Sequence, residues 1–192
     1  VGGSGGNESV VCGSAAVGGI GGQALDYNAF PERTVMGGGA GSGDANNNLG
    51  SSGGNGGGII FIKANEIIGL NNKISSNGIS ATNASNDGAG GGGAGGSILL
   101  DITNYSTAVT ISVNGGNGGN NIDRNNCFGT GGGGGSGIIK TTGLPPSLVN
   151  FSIQTGSAGL ISTSSASCQS PNYGAAGGQS GILLRNVQNI FG

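Results

Sequence analysis

The chain has 192 residues, of which 48 are glycine, with five Phe, three Tyr, no Trp and no His, and only six Lys or Arg against eight Asp or Glu. A glycine share near a quarter, against roughly 7% in ordinary domains, excludes a conventional globular enzyme, and the absence of His removes the usual general base, proton shuttle and metal ligand. The net charge of −2 and the scattered cations Arg33, Lys63, Lys73, Arg124, Lys140 and Arg185 exclude the basic stripe that a nucleic-acid partner needs.

Glycine-rich chains are often disordered, but 34% of the residues are hydrophobic and gather in short Ile, Leu and Val runs. Collagen is excluded because there are only four prolines and no strict triplet. The longest apolar run, Ile59 to Ile62, is far short of the roughly 20 residues that span a bilayer. The sequence starts at Val1 with no charged and apolar leader, so a leader was either removed, which is compatible with secretion, or never part of this sequence.

In chain order, a weak strand signal comes first, GGIGGQALDY at Ile20, followed by TVMGG at Thr34. The strong signals each follow a glycine run: IIFIKANEII from Ile59, ILLDITN from Ile98, IIKTT from Ile138 and ILLRN from Ile182. Between them lie second short strands, ISATN at Ile79, VTISVNGG at Val109 and VNFSIQTG at Val149. Val109, Ile111 and Val113 share one parity, as do Val149, Phe151 and Ile153, so each of these strands has one buried and one wet face. Helical periodicity is absent, and glycine is unfavourable in helices. The expected fold is all-β with no significant helix: one glycine-rich domain over 1–192, in units of about 40 residues starting near 20, 59, 98, 138 and 182.

The glycine runs 88–96 and 129–137 admit two structures. In one they are packed polyglycine-II rods, three residues per turn and about 28 Å long for nine residues, whose outward N–H and C=O groups find neighbouring backbones. In the other they are close-packed corners of a β-solenoid.

Few motifs carry chemistry. GGNGGNNID from Gly115 approximates a calcium-binding nonapeptide, with Asn120 and Asp123 as the weak metal candidates; its single occurrence favours a turn-forming loop. Asp44, Asn46 and Asn48 alternate like a calcium loop but lack its glycine and glutamate. No G-K-[ST] follows any glycine run, and Ser4 in GGSGG has no His to activate it, so neither a P-loop nor a triad is present. The carboxylates are spread out, and Asp101 has the parity opposite to Ile98, Leu100 and Ile102, which places it on a solvated face. No catalytic residue and no cofactor is expected.

Cys12, Cys127 and Cys168 occupy comparable places in their units; the first-choice disulfide is Cys127–Cys168, with Cys12 free or intersubunit. Asn7, Asn83, Asn104 and Asn150 lie in Asn-x-Ser/Thr triplets and are the glycosylation candidates.

A glycine run, a strand of the SILL type and then IS-x-NGGNGG before the next glycine run resembles the glycine-rich repeats of secreted and cell-surface proteins. It is also similar to the polyglycine-II sandwiches of phage tail-tip adhesins and the glycine-rich domains of some animal receptors, over about Gly53 to Gly143. The resemblance implies an extracellular scaffold that displays loops and has no catalysis.

The expected function is a non-enzymatic extracellular structural protein, a self-assembling subunit of a surface filament, coat or matrix. Its partners are copies of itself, joined through the apolar ends 1–19 and 182–192, with SVVCGSAAV over Ser9–Val17 and ILLRNVQNIF over Ile182–Phe191. The alternative is an adhesin that binds a receptor or glycan through Asn46–Ser52, Asn120–Phe128 and Ser162–Tyr173, with Tyr105, Phe128 and Tyr173 as contact aromatics. Neither involves nucleic acid or a membrane span.

Overall fold

The computed structural model describes residues 1–6, 17–24, 33–122, 127–162 and 171–188. Among them there is no helix, and the strands are β1 (Ile59–Ser75), β2 (Ser97–Ser112), β3 (Ile138–Thr141), β4 (Val149–Ser152) and β5 (Ile182–Leu184). Three of the expected strong starts coincide with the observed ones, and β2 begins one residue before Ile98.

All pairings are parallel, in the order β1-β2-β3-β5, with β4 on the second half of β2. The two long strands are each bent into an outbound and a return leg. In β1 the register slips after Ile67 and again after Ile68, where Leu70 and Asn71 take positive φ values of 49° and 62°. The outbound legs stack Ile60 on Ile98, Ile98 on Ile139 and Ile139 on Leu183; the return legs stack Ile74 on Ile111 and Ile111 on Phe151. The core lies between these legs, formed by Ile98, Leu100, Tyr105, Val109, Ile111, Val113, Ile139 and Val149. β-branched side chains suit such a pleated, buried face; Val109, Ile111 and Val113 are all buried as their parity predicts, but Ser112 on the face expected to be wet is buried too, its Oγ donating to Asn77 Oδ1 at 2.7 Å.

The strand legs continue into extended segments with no ladder pairing. Segment 88–96 shows how these are held. The N–H groups of Gly88, Gly91 and Ala94 donate to Asp44, Gly41 and Gly38; those of Ala89, Gly92 and Gly95 to Gly129, Gly132 and Gly135; those of Gly93 and Gly96 to Ile79 and Ser76. Its carbonyls accept from Ser51, Gly54 and Gly57, from Gly119 and Gly116, and from Gly6 and Gly3. Bonding direction therefore advances every residue and recurs every third, except that the Gly90 N–H donates to Ser51 Oγ at 2.8 Å, and the segment is linked to neighbours on six sides.

The same bonds order the described extended segments into three layers. The middle layer holds 51–58, 88–96, 129–137 and 174–181, each running directly into a strand. One outer layer holds 76–84, 113–121 and 153–161, and the other holds 1–6, 17–24 and 35–44. A Cβ on Gly92 would fall on the carbonyl oxygen of Gly116, and one on Gly133 on that of Gly156. At these two positions the layers close only because the side chain is missing, while Ala89, Ala94 and Thr130 fit buried elsewhere in the same layer.

The strands expected at Ile20, Thr34 and Ile79 are not formed. Their segments lie in outer layers, where backbone bonds turn by a third of a revolution per residue rather than alternating, so an apolar residue can fall outside; Ile79 is 58% exposed.

On the face of the outbound sheet away from the core, Lys140 is buried, and its Nζ donates to the Arg33 carbonyl at 2.8 Å. Burial of a charge requires such partners. Asp101 lies on this same face and pairs with Lys63 at 3.0 Å, accepting also from Thr142 Oγ1 at 2.9 Å. These two hydrogen bonds hold its carboxyl below the usual carboxylate range.

Candidate functional site

The far tip of the strand legs carries a cavity whose origin lies in two prolines. The outbound leg of β2 runs on past Leu100, with Tyr105 opposite Ile67 of β1. The stretch that follows β3 contains Pro145 and Pro146, which have no N–H to donate to a ladder. β3 therefore stops at Thr141, opposite Leu100, and the chain crosses to β4 at Val149. Ile102 to Tyr105 are left without a strand neighbour on that side among the described residues, and 143–146 arches over the gap.

The resulting cavity has a volume of about 300 Å³. Leu100, Ile102 and Tyr105 line one side, Leu144 and the two prolines the other, with Thr103, Asn104 and Thr141 also on the wall. No charged residue is among the lining. Tyr105 is only 7% exposed, and burial raises its hydroxyl pKa. Beside the cavity, Asn104 Nδ2 donates to Glu66 Oε1 at 3.2 Å and to Ser106 Oγ at 3.3 Å, and Ser106 Oγ donates to the same glutamate oxygen. Around it the tip exposes Ile68, Leu70 and Leu144.

The opposite end of the molecule carries the loop 44–50. Its bend places Asn48 at φ 67°, and the buried Asp87 carboxylate accepts the Leu49 N–H at 2.9 Å and the Asn47 amide at 2.7 Å. The loop that carries Asp44, Asn46 and Asn48 is thus closed on a buried carboxylate through Asn47 and Leu49. No group of three or more metal-ligating side chains occurs among the described residues.

The stretch from Gly115, expected as a turn or a weak calcium loop, is part of an extended outer-layer segment. Its asparagines recur every third residue and reach sideways. Asn114, Asn117 and Asn120 accept through Oδ1 from the N–H groups of Gln154, Ser157 and Leu160, at 2.8, 2.9 and 2.8 Å. On the preceding segment, Asn77, Ser80 and Asn83 do the same for Asn114, Asn117 and Asn120. Side chains here satisfy backbone donors that have no carbonyl opposite them. Asn120 is committed to this role, and Asp123 lies outside the described residues.

Of the other expected residues, Cys127 is disulfide-bonded. Cys12 and Cys168 lie outside the described residues, as do Asn7 and most of 9–17. Asn83, Asn104 and Asn150 are exposed. Two of the expected contact aromatics are buried: Tyr105 in the core and Phe128 at 6% exposure. The accessible part of that expectation reduces to Tyr173, half-buried beside Gly174 at positive φ. Among the described residues no helix is long and apolar enough to cross a membrane.

No family model, curated protein or solved structure matches the chain.

Proposed function

We propose that this chain is a non-enzymatic extracellular structural protein, a self-assembling subunit of a surface filament, coat or matrix, built from units of about 40 residues on polyglycine-II-type packing. The three-residue recurrence of the backbone bonds supports the packing, since polyglycine II turns once in three residues. The disulfide at Cys127 supports an oxidising compartment.

One observation carries the assembly reading. Core columns that are fully buried in the middle of the stack run out at both ends through half-buried apolar side chains. Ile98, Ile139 and Ile111 are 0% exposed, whereas Ile60 and Ile74 on β1, Leu183 on β5 and Phe151 on β4 are only partly covered. All strands are parallel, so β5 of a second copy fits beside the outbound leg of β1 in the same direction; β4, one strand position short of β5, does not reach the return leg of that β1. Such a contact uses different surfaces on the two partners and repeats without closing, which builds a filament. Arg185, 5.7 Å from the Phe151 ring centroid, lies over the free face of β4.

Electron microscopy of the purified protein over a wide concentration range tests this reading. Filaments that are lost in Ile60→Lys support it; isolated monomers at every concentration refute it. A second reading, a surface adhesin, is favoured by the exposed Ile68, Leu70 and Leu144 around the tip cavity.

A further inference from the structure

We propose that the tip cavity between β2 and the 143–146 arch binds a neutral sugar ring. This goes beyond the assembly reading and rests on different residues. It also places a glycan site at the end of the molecule opposite to the loop 46–52.

Three features select the ligand class. The volume of about 300 Å³ lies at the small end of ligand-binding cavities, room for one or two rings. No charged residue lines the cavity, so an ionic ligand would lose its hydration without gaining a counter-charge. The walls are mixed: Leu100, Ile102, Leu144 and the prolines offer apolar surface, and Thr103, Asn104 and Tyr105 offer hydrogen-bonding groups. A pyranose has this same division, with C–H groups on its faces and hydroxyls around its edge.

Tyr105 supplies the independent observation. It is 93% buried and lines the cavity, yet its hydroxyl makes no hydrogen bond to the described residues. With no protein partner, this hydroxyl on a residue of the cavity wall has its donor and acceptor capacity available to a ligand. An entirely apolar ligand would displace water from that hydroxyl without replacing its hydrogen bond, whereas a sugar hydroxyl would replace it. The site is also preformed: its floor is a strand, and two adjacent prolines stiffen the arch, which limits the ordering cost of binding.

The test uses the full chain made in a bacterial periplasm, which lets Cys127 oxidise and leaves Asn104 without a glycan that would stand at the cavity mouth. A panel of neutral methyl glycosides is screened by saturation-transfer NMR. The expected result is transfer from protein methyl groups to sugar ring protons for at least one glycoside. Tyr105→Phe should weaken that binding about tenfold. Gly143→Phe, whose added side chain starts in open space, should abolish it with the fold retained by circular dichroism. No transfer to any neutral glycoside overturns the proposal, as does binding that both variants leave unchanged. The readout is binding rather than assembly, so this inference and the filament reading can fail separately.

Discussion

The glycine layers and the strand legs are consecutive stretches of the same chain, yet they are held by different forces. The path changes character at 58/59, 96/97, 137/138 and 181/182, where a glycine segment of the middle layer becomes a strand or runs directly into one. Before each boundary, backbone bonds leave in three directions and join a segment to neighbours on several sides. Beyond it, bonds lie in the sheet and the third direction is filled by Ile, Leu and Val. The difference teaches that the Cβ decides between the two. Where most residues lack it, with only small ones such as Ala89 and Ala94 between them, chains approach closely enough to bond all round; where large side chains follow one another, they form a two-sided sheet whose faces must be buried. The energetics follow: about 2 kcal/mol for each large apolar side chain buried in the legs, against about 1 kcal/mol net for each backbone bond in the layers, where glycine also loses the most conformational entropy.

Substitutions that put a side chain into the glycine layers should separate these regimes most sharply. Gly92→Val or Gly133→Val places a Cβ on a backbone carbonyl that cannot retreat, and a loss of more than about 4 kcal/mol is expected, seen as an unfolded or aggregated product. Gly58→Val, just before β1 and with nothing within 4 Å of the added Cβ, should change stability by less than about 0.5 kcal/mol in denaturant titration.

In the strand legs the opposite change is the damaging one. Ile111→Ala removes a fully buried side chain from the core, and should cost about 2–5 kcal/mol through lost burial and the cavity left behind. A smaller effect tests the side-chain ladder of the outer layer. Asn117→Ala removes the acceptor of the Ser157 N–H; the loss should be about 1 kcal/mol, with faster exchange of that amide.

The smallest effect belongs to Lys63 and Asp101. The folded Asp101 pKa is depressed, so its contribution to stability is present above the ordinary carboxylate pKa and is lost as pH falls through the folded value. Denaturation midpoints in acid should therefore drop slightly less in Asp101→Asn than in the parent, and the two should respond equally to changes in pH near neutrality.

Much of the strand layer is legible in the sequence, because an Ile- or Leu-rich run directly after a glycine run marks each outbound leg. The return leg of β1 is obscured because Asn72 and Lys73 interrupt its apolar pattern, leaving Ile74 as the one residue that stacks on Ile111. Ile20, Thr34 and Ile79 mislead because an apolar residue in an outer layer can point to solvent without penalty to the backbone bonds. The Asn and Ser at 77, 80, 83, 114, 117 and 120 do carry a period of three, the signature of the three-residue turn, but the glycines among them resemble a calcium motif more readily. Asp87 and Lys140 give no sign of burial, since their partners at Asn47, Leu49 and Arg33 are distant in sequence. Pro145 and Pro146 announce the end of β3. The cavity is not legible from them, because it also requires β2 to run on to Tyr105.

Amide hydrogen exchange across 88–96 and 129–137 tests the packed-layer structure most directly, because every bond invoked there is a backbone N–H. If the layers are held as described, these glycine amides exchange as slowly as those of β2 and open with the whole domain. Exchange at the rate of an unstructured chain, while β2 remains protected, would show that the runs are linkers and would contradict the structure of the glycine layers.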